Sequence, residues 1–382
     1  MSVYRIIFYV LFVFVLSFPR LLIAEQVIIG VSDNPIVLGM SNALTGPASS
    51  LGLELKKGSM LYFNEINQHG GVAGRKIEVI SYDDGYEPER AYKNTQKLIY
   101  DDKVFALFGY VGTPTSKAVM PIILKEKEIY FAPFTGADFL RTPVVPSIFN
   151  IRGSYYAEID KQVDYFVKYK KNSKIGLFIQ ADDFGLAVTR GITKSLQLQQ
   201  INPIVNTRFK RNTVNVDNAV NALLRAHPQV IFCVGTYQPI AELINKMRTK
   251  GYQGDFVSVS FVGADALEPR LNSLAGVYVT SVVPSPKNSS LPIVKEYQQA
   301  MKKAGFSHFN HESLEGYINA RVFVEIAKKC KNALSKACFV KQAEQFDSVI
   351  SGLPIHFTKD NHQGMKTIYL YHLGTDLSVP MQ

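Results

Sequence analysis

Three loops of small, hydroxylated and glycine residues offer the clearest chemistry in the sequence. They are Thr45–Gly52, Gly109–Ser116 and Pro133–Ala137, and each follows an apolar run. A loop that leads from a strand into a helix leaves free backbone N–H groups at the helix start, and these suit an anion. The first of these loops contains no catalytic residue. The pattern therefore predicts a non-covalent binding site.

The sequence patterns for catalysis or metal binding are weaker than the pattern of these binding loops. The adjacent carboxylates of Asp182 and Asp183 could perform acid–base catalysis, or one of them could cap the helix that starts at Gly185. We expect capping, because no partner group accompanies the pair. The seven histidines do not show the spacing of a metal site. The sequence predicts no catalytic residues, no metal and no cofactor.

Residues 1–24 predict a secretory signal peptide. Arg5 precedes the run Ile6–Phe18, which is apolar except for Ser17, and the small residue Ala24 closes the segment. The run is short for a membrane span, and an uncleaved anchor is the alternative interpretation. The segment holds Arg5, Arg20 and no acid, so its removal lowers the net charge from +10 to +8. The remaining cations are scattered, which argues against a nucleic-acid-binding protein.

The three cysteines indicate one disulfide and one free thiol. Cys330 and Cys338 flank a short loop between two predicted helices, and an oxidising compartment would favour a bond between them. Two unlinked thiols are the alternative, because spacing does not fix geometry. Cys233 lies in the apolar run Val230–Val234 and is predicted to be buried and free.

Strand and helix patterns alternate along the chain in two rounds, at about 27–132 and 157–283. Such alternation predicts the α/β class, with two Rossmann-like lobes that each contain a parallel-rich sheet. Open parallel sheets bind ligands at the carboxyl ends of their strands, so a ligand cleft is expected between the lobes. The segments Ile355–Thr358 and Lys366–His372 predict a terminal hairpin.

Three motifs, in this order and at this spacing, resemble one family. They are Thr45–Gly52, Asn67–Ile77, with its paired glycines, and Asp83–Ala91, with its Asp-Asp turn. Together they resemble the periplasmic binding proteins of the Leu/Ile/Val-binding type, which are receptors of ABC importers and have the type I periplasmic-binding-protein fold. The resemblance covers nearly the whole chain after residue 24.

The resemblance implies a periplasmic, monomeric, non-enzymatic protein. Such a protein captures a small polar ligand (an amino acid or a related carboxylate or amide) by cleft closure and delivers it to an inner-membrane ABC permease. It also implies two lobes joined by a multi-strand hinge. We expect the N-terminal lobe at 25–151 plus 285–352 and the C-terminal lobe at 152–284 plus 353–382. The alternative function is a soluble ligand-sensing partner of a signalling receptor.

The resemblance further implies where the ligand binds. The Thr113 hydroxyl and the loop at Thr135 would hold a carboxylate, and apolar or aromatic side chains would surround the ligand. The predicted ligand-binding residues are Leu51, Gly112, Thr113, Phe134, Thr135, Gly136, Phe184, Tyr237 and Ser260.

Ser260 departs from the family pattern. Amino-acid binders of the family carry an acid here, which pairs with the α-ammonium group of the ligand. A buried ammonium without a carboxylate partner would cost several kcal/mol. Either Asp183 or Asp265 replaces that acid from a neighbouring loop, or the ligand has no α-ammonium group. The second hypothesis is favoured.

Overall fold

The structure is a computed structural model, and it describes residues 32–375. The predicted signal peptide lies outside the described residues. Within 32–375, no helix is both long and apolar enough to cross a membrane. The predicted α/β class with two parallel-rich lobes is confirmed.

The first lobe is built on a five-stranded, all-parallel sheet in the order β2-β1-β3-β4-β5. Its strands are β1 Ser32–Asn42, β2 Arg75–Asp83, β3 Ala106–Phe108, β4 Tyr130–Phe131 and β5 Ile148–Phe149. Its helices are α1 Ser49–Gln68, α2 Pro88–Tyr100, α3 Thr113–Glu126, α9 Pro292–Lys303, α10 His311–Lys329 and α11 Lys336–Ala343. The helices cover both faces of the sheet, which is why β3 and β4 are buried throughout.

The second lobe is built on a six-stranded sheet in the order β13-β10-β9-β8-β6-β7, in which only β13 is antiparallel. Its strands are β6 Ile175–Gln180, β7 Val205–Phe209, β8 Val230–Val234, β9 Asp255–Ser258, β10 Val277–Ser281 and β13 Tyr369–His372. Its helices are α4 Tyr155–Val163, α5 Asp183–Gln197, α6 Asp217–Ala226, α7 Tyr237–Thr249 and α8 Ala264–Leu267. The continuous apolar runs of β6 and β8 are buried at every position, as expected for central parallel strands.

The predicted terminal hairpin is wrong. Leu353–His356 (β12) pairs with Asp347–Ile350 (β11), whereas β13 pairs with β10 of the second lobe. Ile355 and Phe357 pack in the first lobe's core, and this packing separates the two segments. Since Met365 also belongs to that core, we propose that the last lobe boundary follows Met365 and keep the predicted boundaries near 151 and 284.

Helices α1 and α10 of the first lobe cross with their backbones in contact. A Cβ atom on Gly58 would overlap the carbonyl oxygen of Ser313, and one on Gly316 would overlap that of Leu55. The Ser59 hydroxyl also donates to the Gly316 carbonyl at 3.1 Å. Glycine is required here because only the absence of a side chain permits such a close approach.

Cys330 and Cys338 form a disulfide that joins the end of α10 to α11. Cys233 is a free thiol in β8 and is 1% exposed. Burial raises the pKa of Cys233 well above its ordinary value, so this thiol stays protonated and unreactive.

Candidate ligand-binding site

Three buried hydroxyl groups meet at the strand-end loops of the first lobe. Thr113 is the first residue of α3, Thr135 follows β4, and Tyr155 is the first residue of α4. The Oγ1 atoms of Thr113 and Thr135 lie 2.7 Å apart, and Thr135 Oγ1 donates to the Tyr155 hydroxyl at 3.3 Å. Each hydroxyl can both donate and accept, so this hydroxyl cluster can turn its donors towards an anionic oxygen.

Aromatic rings from both lobes pack around Phe261, which follows β9. The ring centroid of Phe261 lies 4.8 Å from that of Phe184, 5.6 Å from that of Phe134 and 5.7 Å from that of Tyr86. Phe184 in turn lies 5.4 Å from Tyr155 of the hydroxyl cluster. Tilted pairs at these separations are favourable, and together they form an apolar wall shared by the two lobes.

A second contact between the lobes joins the start of α1 to Tyr237. The backbone N–H of Ser50 donates to the Tyr237 hydroxyl at 3.3 Å. Gly263 lies between the two side chains: a Cβ atom there would be 2.7 Å from Leu51 Cδ2 and 3.5 Å from Tyr237 Cδ1. The guanidinium carbon of Arg270 lies 4.7 Å above the Tyr237 ring, a favourable cation–π arrangement.

Ser260 is bound on two sides by charged side chains. Its backbone N–H and its hydroxyl donate to the two carboxylate oxygens of Glu158 at 2.6 and 2.9 Å. The same hydroxyl oxygen accepts from Arg152 Nη2 at 2.5 Å. A cavity of about 30 Å³ adjoins Ser260, which is room for about one water molecule.

Neither of the acids suggested by the sequence is bound to Ser260. Asp183 is exposed on the first turn of α5. Asp265 accepts from the backbone N–H of His311 at 2.9 Å, and its carboxylate lies 2.6 Å from His311 Nδ1. Asp182 caps α5, as predicted for one member of the Asp-Asp pair, by accepting from the Phe184 N–H at 3.0 Å.

The nine predicted residues lie in one region between the lobes, where eight of them are buried and Ser260 is half-buried. Gly112 and Gly136 complete the set. A side chain on Gly112 would overlap the Tyr86 ring, and the Gly136 carbonyl accepts from the Tyr155 N–H at 2.8 Å. Direct contact of these residues with a ligand remains a prediction.

Several residues of this region are not among those predicted from the sequence: Arg152, Tyr155, Glu158, Phe261, Glu312 and Glu315. The first three follow the crossing from β5 into the second lobe at a spacing of three residues. Charged and aromatic residues immediately after a lobe crossing could therefore have been predicted to line the cleft. Glu312 and Glu315 share one face of α10, and burial raises their pKa values to about 8 and about 7.

Polar contacts also hold the lobes together at the rim of the cleft. Arg211 Nη2 of the second lobe donates to Glu87 of the first lobe at 2.7 Å, and Asn212 Nδ2 donates to the same carboxylate at 2.7 Å. Gln180 Nε2 donates to the Tyr86 hydroxyl at 3.3 Å. These contacts exist only when the lobes are together, so they stabilise the closed arrangement.

The pair formed by Asp265 and His311 joins the lobes at another point of the rim. Burial opposes charge on both groups, but their mutual attraction outweighs it. It lowers the pKa of Asp265 and raises the pKa of His311. The raised His311 pKa contributes stability that is full below the unfolded pKa of about 6.5 and is lost as pH rises through the folded value. The lowered Asp265 pKa contributes stability above about 3.9 that is lost in acid.

We therefore expect the pair to stabilise the protein most between about pH 4 and 6.5. Replacing His311 by glutamine should lower Tm by about 2 °C more at pH 5.5 than at pH 9. Thermal unfolding of both proteins at the two pH values measures this. His69→Gln on the exposed end of α1 is the control and should show no such difference. An equal loss for His311→Gln at both pH values would contradict charge pairing.

The chain is similar in sequence and in structure to proteins of one known family. The sequence profile of the periplasmic binding protein family matches residues 35–376. The chain is 32% identical to a possible leucine/isoleucine/valine-binding protein of known structure from Rhodopirellula baltica, with a TM-score of 0.85 over 91% of this chain and 98% of that one.

Two further relatives agree. A substrate-binding periplasmic protein of known structure from Ralstonia solanacearum is 26% identical, with a TM-score of 0.82 over 88% of this chain and 96% of that one. Leu/Ile/Val-binding protein homolog 7 of Brucella suis is 24% identical over 81% of this chain and 80% of its own.

The chain belongs to the periplasmic binding protein family, whose members bind solutes and are not enzymes. Within residues 32–375, no group of three or more His, Cys, Asp or Glu side chains could hold a metal ion.

Proposed function

We propose that this protein captures a small polar solute between its lobes in the periplasm and delivers it to an inner-membrane ABC importer. The observation that carries the proposal is the single buried region that unites the strand-end loops of both lobes. It contains hydroxyl donors, aromatic rings and charged groups, the usual components of a site for a small polar ligand. Relatives named as Leu/Ile/Val-binding proteins support a ligand of that general size.

The ligand class is an amino acid or a related carboxylate or amide. The hydroxyls of Thr113 and Thr135 suit a carboxylate or amide oxygen, and the rings around Phe261 suit an apolar or planar body. Ser260 stands where an acid would pair with an α-ammonium group. We therefore favour a ligand that has no such group.

Delivery depends on the equilibrium between open and closed lobes. A ligand that contacts both lobes binds the closed state more tightly and shifts the population towards it. The Glu87–Arg211 and Asp265–His311 contacts form only on closure and add to that preference. The protein would act as a secreted monomer. A permease that recognises the closed arrangement would then bind mainly the ligand-bound form.

A thermal-shift screen tests the proposal. The panel contains amino acids, small aliphatic and aromatic carboxylates, and amides. A ligand at 100 times its Kd adds about 2.7 kcal/mol to the unfolding free energy, so a true ligand should raise Tm measurably. Failure of the whole panel to raise Tm would contradict the proposal. Chemical turnover of a bound compound would also contradict it, since it would indicate an enzyme.

Replacing Thr113 by valine should weaken binding of a carboxylate ligand found in the screen. The substitution keeps the side chain's size and removes one hydroxyl of the cluster, so we expect an affinity loss of about tenfold. Isothermal titration calorimetry measures the change. Thr95→Val is the matched control because its buried hydroxyl bonds to Ala91 and Tyr110 within the first lobe. Equal affinities for Thr113→Val and the wild type would show that the hydroxyl cluster does not bind the ligand.

A further inference from the structure

Arg152 is a buried cation within the cleft that the family resemblance does not assign. It lies on the crossing from β5 to α4, and its side chain is 1% exposed. Its guanidinium carbon lies 4.2 Å above the ring of Phe134, and Nη2 donates to Ser260. Arg152 thus contacts one predicted ligand-binding residue from each lobe.

The guanidinium group is only partly satisfied by protein atoms. It carries five N–H donors. Among the described residues, its Nη1 and Nε atoms have no hydrogen-bond partner, although Nε lies 3.3 Å from Glu315 Oε1. Buried polar groups without partners are costly and uncommon in folded proteins. Free donors on a buried guanidinium inside a ligand cleft therefore indicate a partner that arrives with the ligand.

The neighbouring carboxylates leave Arg152 able to bind an anion. Both oxygens of Glu158 are engaged: they accept from the Ser260 N–H and hydroxyl and from the Thr280 hydroxyl at 2.7 Å. Burial raises the pKa of Glu315 to about 7, so at neutral pH it carries only part of its negative charge. Neither carboxylate accepts a hydrogen bond from Nη1 of Arg152, so this nitrogen stays available to an anion.

We propose that Arg152 is the anion-binding side chain of this cleft and selects an organic acid that carries a carboxylate and no α-ammonium group. The planar guanidinium fork matches the two oxygens of a carboxylate. The same cation beside Ser260 repels an ammonium group, and the Glu158 carboxylate there already accepts from three protein donors. The assignment rests on the proposed function, because it presumes that the cleft binds a small solute.

Matched ligand series test the assignment. Each series contains an acid, its α-amino acid and its amide: propanoate, alanine and propanamide; 4-methylpentanoate, leucine and 4-methylpentanamide; 3-phenylpropanoate, phenylalanine and 3-phenylpropanamide. Affinities come from thermal shift and calorimetry. The wild type should bind the acid of at least one series more tightly than its two analogues.

The variant Arg152→Gln should weaken that acid by about 30-fold and change the affinity for the amide by less than about threefold. Arg152→Lys keeps the charge but loses the fork, and should give an intermediate loss for the acid. Arg208→Gln at an exposed position of β7 makes the same chemical change outside the cleft and should leave both affinities unchanged. An effect on the acid alone distinguishes a ligand contact from a purely structural role.

Loss of Arg152 alone leaves Glu315 buried beside an uncharged residue and could prevent folding. The double variant Arg152→Gln, Glu315→Gln removes both charges; it should fold and still fail to bind the acid tightly. Acid binding at wild-type affinity by either variant would overturn the assignment. The assignment would also be overturned if the wild type bound an amino acid or an amide more tightly than every acid. In that case the proposed function would still stand. A panel in which no compound binds would count against both.

Discussion

Replacement of Gly316 by valine is expected to lower the free energy of unfolding by about 3 kcal/mol. A side chain at this position would overlap the Leu55 carbonyl oxygen and crowd the Ser59 N–H, whose distance from a Cβ atom would be 3.0 Å. The two helices would have to move apart, which would also break the hydrogen bond from the Ser59 hydroxyl to the Gly316 carbonyl. Close backbone contact between α1 and α10 therefore stabilises the first lobe.

Urea denaturation measures this loss. Lys328→Val in the same helix is the matched control: it introduces the same β-branched residue at an exposed position, where the cost should stay within about 1 kcal/mol. Because α1 carries Leu51 and α10 carries Glu312 and Glu315, the Gly316 variant should also bind ligand less tightly. Equal losses for the two variants would show that the helices are not in the close contact described.

Reversing the charge of Arg211 is expected to open the cleft. The Arg211→Glu variant would place a third carboxylate beside Glu87 and Asp182, which lie 2.7 and 3.4 Å from the guanidinium nitrogens. Like charges brought together on closure oppose it, and the partial exposure of Glu87 moderates the effect. We expect ligand affinity to fall about tenfold.

Small-angle X-ray scattering and calorimetry together test this prediction. The variant should show a larger radius of gyration without ligand and should need more ligand to reach the compact form. Lys210→Glu changes the net charge equally at an exposed neighbouring position and should behave as the wild type does. If both variants gave wild-type scattering and affinity, the contact of Arg211 with Glu87 would not contribute to closure.

The sequence predicted the strands correctly where every residue of a strand is packed against the core. The runs Ile175–Ile179 and Val230–Val234 are apolar at every position because helices cover both faces of their sheet, and this made them recognisable as strands. The terminal hairpin was predicted from proximity in sequence. Its segments instead pair with β11 and β10, and the second pairing spans about 90 residues. Such pairing is decided by core packing that no local pattern records.

Some residues of the candidate site could likewise be predicted from local sequence patterns, and others could not. Thr113, Thr135 and Tyr237 lie just past strand ends or at helix starts, and the chain's alternation points to them. Arg152 and Glu315 become part of the site only because the lobe crossing that carries Arg152 meets both Ser260 and a helix from a distant part of the sequence. In the sequence Glu315 is one charged residue among many, and nothing local separates it from a solvated surface residue, whereas Arg152 is marked only by its position just after the lobe crossing.

The most direct test of cleft binding is a crystal structure of the protein with the tightest ligand from the screen. We predict that the ligand lies between the lobes, with a polar group within hydrogen-bond distance of Thr113 or Thr135 and its body against the rings around Phe261. A ligand bound outside the space between the lobes, or bound to one lobe with no contact to the other, would contradict capture by cleft closure.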